Sequence, residues 1–244
     1  MNIKQWISYK IYNFKNNIRY KPDLKINQIN IGLLLSAGTS SRFDQKKPKQ
    51  LFTINDKPII LHSIQSFINV VDKLVIVTNT KCYDEIIQIT KNYDKIIVII
   101  NDINSRIESI KSGLLYLQKT YNNINNIIIH DSARPFINES HLITLLKSNE
   151  NYQYSQYYLK LVNGLLKKNQ DKYDLNDPSK FIEICTPLCC NYNLYYFIFM
   201  NYIGNSKPFT TELIPILNLM NISYTFIEGF HNSLRKITYI EDIM

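Results

Sequence analysis

The chain predicts an α/β protein built on a doubly wound parallel sheet. Three observations lead there. Short apolar runs recur without polar interruption, as in strands buried on both faces. Segments of helical period separate them, and strand and helix in alternation give a parallel sheet between helical layers. Conspicuous polar residues cluster just after the strands, where such sheets bind ligands.

Residues 1–29 come first and place Ile3, Ile7, Ile11, Phe14 and Ile18 at helical spacing with lysines between them. Two readings stay open: a helix packed on the domain or a partner, or a basic amphipathic segment for a membrane surface or organelle targeting. Residues 1–28 are therefore read as a basic extension and 29–244 as one domain. Strands are expected at 29–35 (INIGLLL), 73–78 (KLVIVT), 95–100 (KIIVII) and 126–130 (NIIIH). Helices are expected at 57–69, 82–92 and 106–120, with right-handed crossovers. Beyond them lies a polar excursion, an arm over about 150–180, with a strand-like piece at 157–162. A helix-like run at 191–202, a strand-like run at 222–228 and the closing LRKITYIEDI complete the chain.

Composition narrows the function. At 244 residues and 45% hydrophobic, the chain can bury a sizeable core. Its usage of isoleucine, asparagine, lysine and tyrosine inflates the lysine count. Residues 1–29 hold Lys4, Lys10, Lys15, Arg19, Lys21 and Lys25 against Asp23, so +5 of the net +8 lies in the extension. A nucleic-acid binder spreads its basic footprint over the fold, so no nucleic-acid partner is expected. The four cysteines, Cys82, Cys185, Cys189 and Cys190, form no CxxC pair and have no histidine at ligand spacing, which disfavours zinc. Adjacent Cys189 and Cys190 suit a packed element in a reducing compartment, and a cytoplasmic location is expected. No apolar run is long enough to span a bilayer, and the N-terminus lacks a signal peptide's apolar core.

The polar residues sit where three loops converge. Ser36-Ala37-Gly38 lies after the first strand, Arg106 and Ser109 open the helix after the third, and Asp131-Ser132-Ala133-Arg134 lies after the fourth. Gly38 permits a tight turn, and exposed amides there can hold phosphate oxygens or a base edge. The loop is neither GxxxxGK[ST] nor GxGxxG, which disfavours P-loop NTPases and dinucleotide dehydrogenases. Arg42 and Lys49, the latter after Pro48, offer a fork and a point charge suited to a polyphosphate. Lys46, Lys47 and Lys57 are assigned to solvent. Asp131 ends a buried strand, where a carboxylate must be paired, and two roles are open: a Mg²⁺ ligand or a cap on the next segment of chain. His130 alternates to the other side and reads as a core residue or as one that supports the site from behind. His62, His141 and His231 show no partners in the sequence.

These motifs together resemble the methylerythritol-phosphate and ribitol-5-phosphate cytidylyltransferases, the IspD/TarI family. SAGTSSRFDQKKPKQ (36–50) resembles AAGxGxRMxxxxPKQ, and NDKPIILHSIQSF (55–67) resembles GxKPVLxHTLxxF. RIESIKSGL (106–114) is similar to RxxSVxxGL, and IHDSARPFI (129–137) to VHDAARPFV. FTTELIPIL (209–217), IEGF (227–230) and LRKITYIEDI (234–243) resemble the family's later segments in order. The resemblance implies a mostly parallel, Rossmann-like sheet of the nucleotide-diphospho-sugar transferase type and a homodimer joined by an extended arm. It implies transfer of CMP from CTP to a polyol phosphate with a divalent ion such as Mg²⁺. By motif position, Arg42, Lys49 and Lys236 would form a catalytic cationic clamp. Ser36, Ala37, Gly38, Arg106 and Ser109 would serve the nucleotide. Asp131 would hold the metal, and Arg134 and Thr186 the acceptor.

The departures also carry information. A family glycine is replaced within Thr39-Ser40-Ser41-Arg42, and a glycine pair by Asp102-Ile103. On the acceptor side, DT aligns with Gly164-Leu165, DR with Asp177-Pro178, and TPQ with Thr186-Pro187-Leu188. The TEL and LRKITY segments most resemble the ribitol-phosphate form of the family, and that resemblance implies ribitol 5-phosphate over methylerythritol 4-phosphate as acceptor. Two alternatives stay open: a relative without turnover that binds a nucleotide or a partner, and a nucleotidyltransferase with another NTP or sugar phosphate.

Overall fold

A computed structural model describes residues 28–40, 42–43, 47–170, 172–203 and 213–243. The helical reading of residues 1–27 lies outside the described residues, as do Lys46 and the start of the 209–217 motif.

A seven-stranded sheet forms the centre. Its parallel heart is β1 (Ile29–Ser36), β4 (Lys73–Thr78), β5 (Ile96–Ile100) and β6 (Ile124–Asp131). β7 (Tyr154–Lys160), β10 (Ile182–Asn191) and β11 (Tyr224–Glu228) extend it. The strand order is β11-β7-β10-β6-β1-β4-β5. β10 runs antiparallel to both β6 and β7, and the other pairings are parallel. Two small hairpins stand apart: β2 (Thr53–Ile54) with β3 (Lys57–Pro58), and β8 (Leu165–Asn169) with β9 (Lys172–Asn176).

Helices cover both faces, as the apolar strands require. One core packs Ile31, Leu33, Val75, Val77, Ile127 and Ile129 against α3 (Arg106–Thr120), α5 (Tyr192–Ile198) and α6 (Ile214–Met220). The other packs Leu34, Leu74, Ile76 and Ile128 against α1 (Ile59–Phe67), α2 (Thr80–Thr90) and α4 (Glu139–Ser148). The two-residue alternation along β1, β4 and β6 divides each strand between the cores. Each fully buried Leu or Ile contributes roughly 1.5–3 kcal/mol. At Gly113 a Cβ would come within 2.5 Å of Leu33, so its absence lets α3 close on β1.

Boundaries moved where caps or pairing decide them. α2 starts at Thr80 because Asn79 caps it, accepting from the Cys82 amide at 3.2 Å. α1 starts at Ile59 because Lys57 and Pro58 pair with Thr53 and Ile54. The single helix expected at 191–202 is α5 continued by a π-helical turn, Phe199–Ile203. The strand-like piece expected at 157–162 is β7, which begins three residues earlier. Ile182–Asn191, where no strand was expected, is β10, the longest strand among the described residues. Of the stretch expected as an arm, about 150–180, Tyr154–Lys160 is β7 of the central sheet, and only the β8–β9 hairpin stands outside that sheet as a paired element. A four-residue α7 (His231–Leu234) precedes the extended segment that carries Lys236.

Candidate active site

The site grows from the ends of two adjacent strands. β1 ends at Ser36 and β6 at Asp131, with Leu35 paired to Asp131 across the ladder. A cavity of about 330 Å³ opens beyond them. It is walled by the Ser36–Gly38 turn, by Arg42 and Lys49, by Asn104 to Arg106 with Ser109, and by Asp131 to Ala133 with Lys236. A Cβ on Gly38 would meet nothing within 4 Å, so the turn faces open space there.

The first loop is held from beneath. Gln50 is buried, and its Nε2 donates to the Ser36 carbonyl at 2.9 Å. Lys49 lies in a one-turn helix after Pro48 and donates from Nζ to the Ile237 carbonyl at 2.6 Å. Burial, then the nearby Lys236 ammonium, bring the Lys49 pKa down to about 8. Phe43 is buried in a small core with Ile59 and Ile237, which joins the first loop to the C-terminal segment.

Asp131 is the anionic centre. Its Oδ1 lies 3.3 Å from Arg106 Nε and its Oδ2 2.9 Å from Lys236 Nζ. Burial pushes the carboxyl up, but the Arg106 guanidinium and the Lys236 ammonium outweigh it. They hold the group well below the usual carboxylate range. Ser105 caps α3 by accepting from the Glu108 amide, which sets Arg106 at the mouth of that helix. Ser109 is buried one turn on and donates to the Ser105 carbonyl at 3.0 Å. Lys236, 105 residues along the chain from Asp131, is thus held at the same cavity as the early loop, with its side chain 41% exposed.

Nine of the eleven residues singled out in the sequence line this one cavity: Ser36, Ala37, Gly38, Arg42, Lys49, Arg106, Ser109, Asp131 and Lys236. The other two do not. Arg134, expected at the acceptor phosphate, is buried with its guanidinium donating to the Leu234 carbonyl. The cause is packing, since that carbonyl must be satisfied inside the protein. Thr186 is also buried, and its Oγ1 accepts from the Asp131 amide at 3.2 Å. Both residues brace the site from behind. His130 is fully buried, with Nε2 3.0 Å from the Arg134 carbonyl oxygen, and burial lowers its pKa to about 4. His62, His141 and His231 meet Ile54, Asn138 and Lys160 respectively, in local bonds that sequence spacing does not reveal. Among the described residues, no helix is long and apolar enough to cross a membrane.

Sequence reasoning missed Gln50 and Ser40. Both act on the loop backbone and present no charge, so the sequence marked Ser40 only as part of the stretch where a family glycine is replaced. For Gln50 the hint was the PKQ triplet.

A mostly parallel sheet with a cationic cavity beyond its strand ends defines a Rossmann-like α/β protein of the nucleotidyltransferase type. Comparison with solved structures shows the same fold. The 4-diphosphocytidyl-2C-methyl-D-erythritol synthase of Anaerococcus prevotii superposes with a TM-score of 0.74 at 18% identity, covering 88% of this chain and 93% of that one. The 2-C-methyl-D-erythritol 4-phosphate cytidylyltransferase of Francisella tularensis does so with a TM-score of 0.69 at 20% identity, over 88% and 96%. The chain belongs to the IspD family, 2-C-methyl-D-erythritol 4-phosphate cytidylyltransferase, whose model matches residues 31–244. A relative of that name from Clostridium acetobutylicum is 28% identical over 225 residues, 88% of this chain and 94% of its own. Identities this low mark a divergent member.

Proposed function

We propose that the protein transfers CMP from CTP to a polyol phosphate and releases pyrophosphate. The observation that carries this reading is the gathering of Arg42, Lys49, Arg106 and Lys236 around one cavity with the Ala37–Gly38 turn and, among the described residues, a single carboxylate. An oxygen of the acceptor phosphate attacks the α-phosphorus. The new P–O bond forms as the bond to the bridging oxygen breaks, and the electron pair leaves on pyrophosphate. Such a reaction needs charge stabilisation more than covalent help. Arg42, Lys49 and Lys236, which line the cavity, would supply it. Arg106 and Ser109 support the nucleotide wall.

The donor set suits Mg²⁺. Asp131 offers one carboxylate, and Mg²⁺ characteristically takes one or two carboxylates with phosphate oxygens and water. Among the described residues no cluster of three metal-ligating side chains exists, so the rest of the shell falls to substrate and solvent. A bound ion would neutralise phosphate charge, and Lys236, now on Asp131, would turn toward the triphosphate.

The relatives' names point to 2-C-methyl-D-erythritol 4-phosphate as acceptor. The TEL and LRKITY segments favour ribitol 5-phosphate as the second reading. We also propose a homodimer, formed through the β8–β9 hairpin. Pyrophosphate release from CTP and Mg²⁺ with each polyol phosphate tests the reaction. Lys49→Ala and Lys236→Ala should each lower kcat by about a hundredfold or more. CTP binding without product from either acceptor would favour the relative without turnover, and preference for another NTP would reassign the donor.

A further inference from the structure

Ser40 stands in an unusual backbone position. Its φ is 57°, in the left-handed region that glycine enters freely and that costs an L-residue roughly 1 kcal/mol. What Ser40 has and glycine lacks is a hydroxyl, and here that hydroxyl is fully engaged. Its Oγ accepts from the Lys49 amide at 3.0 Å and donates to Gln50 Oε1 at 3.3 Å. The opposite end of Gln50 donates from Nε2 to the Ser36 carbonyl at 2.9 Å and to Cys82 Sγ at 3.0 Å. The chain of contacts therefore runs from the end of β1, through a buried amide and a strained turn, to the backbone of Lys49, with α2 as its anchor.

This arrangement does something particular. The cavity's phosphate-facing groups come from two places, the turn at Ala37–Gly38 and the side chain of Lys49, and Ser40 lies nine positions before Lys49. A loop left to itself would sample many spacings between them. The Ser40–Gln50 pair fixes that spacing before any ligand arrives. We propose that Ser40 and Gln50 are positioning residues that lock the Ala37–Gly38 amides and the Lys49 ammonium at a set separation for a nucleoside triphosphate. This rests on the reading of the cavity as a CTP site and adds the device that preorganises it. The left-handed turn at Ser40 is then tolerated because its hydroxyl ties the loop together.

Binding and kinetics separate the possibilities. Titrations use the full-length protein with MgCTP and with inorganic tripolyphosphate, at a temperature well below the unfolding midpoint of every variant. Ser40→Gly keeps the left-handed turn accessible and removes the hydroxymethyl group that makes both bonds. Gln50→Leu removes both ends of the bridge at similar volume. Each should weaken both ligands by about tenfold, as expected for losing a pair of partly buried hydrogen bonds. The double variant should lose little beyond either single one, because the residues act as one chain. With turnover, the loss should appear in KM for CTP and leave KM for the acceptor unmoved, a split that mere destabilisation would not produce. In the free protein, hydrogen exchange at the Lys49 amide should quicken in Ser40→Gly and Gln50→Leu alike. A Ser40→Gly protein that binds as tightly as the parent, or a Gln50→Leu protein with an unchanged Lys49 amide, overturns the positioning role. A parent protein that binds neither ligand overturns the CTP reading itself, and the clamp's role with it.

Discussion

Lys49 is charged in a place that resists charge. Burial and the neighbouring Lys236 lower its pKa to about 8, while a triphosphate drawn into the cavity would raise it again. The sign of the pH dependence comes from linkage. Below pH 8 the free protein already carries the ammonium, so affinity for CTP is full and flat. Above pH 8 a proton must be taken up on binding, and affinity falls toward tenfold per pH unit until the raised pKa of the complex is reached. Calorimetric titration of CTP from about pH 7 to about pH 9.5 should show this bend, with proton uptake on the alkaline side. Lys49→Arg should flatten the profile, because a guanidinium keeps its charge throughout. A profile of the parent protein with no bend across that range would remove Lys49 from the phosphate site. His130 differs in kind: it is buried and held neutral, and it braces the Arg134 carbonyl without facing the ligand.

The segment after α7 is what makes distant residues one site. Leu234 accepts from Arg134, the Ile237 amide donates to the Ala133 carbonyl at 2.8 Å, and the Ile237 carbonyl accepts from Lys49. Between those bonds the Ile237 side chain is fully buried with Phe43 and Ile59. Ile237→Ala should therefore cost about 2–4 kcal/mol of stability and also loosen Lys236. We expect a lowered unfolding midpoint, a native circular dichroism spectrum at room temperature, and a drop in kcat approaching that of Lys236→Ala. Full kcat in a destabilised Ile237→Ala protein would show that Lys236 is placed by other contacts. This level of organisation was only partly legible in the sequence. β1, β4, β5 and β6 were readable because burial on both faces makes them continuously apolar. β10 was not, because ICTPLCC mixes polar and apolar residues, and its antiparallel place between β6 and β7 depends on pairing that no local pattern encodes. The loop cations were readable as a motif. The inward turn of Arg134 was not, since it depends on a carbonyl a hundred residues away.

At the scale of the whole molecule, the β8–β9 hairpin stands outside the central sheet. It pairs only with itself, and two-stranded hairpins are marginal in water. One of its faces carries Leu166 opposite Leu175 and Tyr173 opposite Lys168. Leu166, Tyr173 and Leu175 are 60%, 60% and 78% exposed. Burying each leucine against a second copy would contribute roughly 1.5–3 kcal/mol, enough to make the hairpin an arm and not a frayed loop. The polar composition that marked residues 150–180 as an excursion thus conceals a short apolar stripe, which alternation on one face explains. If the stripe joins two copies, light scattering after gel filtration should give twice the chain mass for the parent protein. Leu166→Lys with Leu175→Lys should halve it, because two ammonium groups then face the partner surface without counter-charges. The central sheet shares no residue with the stripe, so the unfolding midpoint of the monomeric variant should stay within a few degrees of the parent's at low concentration. A dimer that survives both lysines would place the interface elsewhere on the molecule, and the hairpin would need a different occupant for its apolar face.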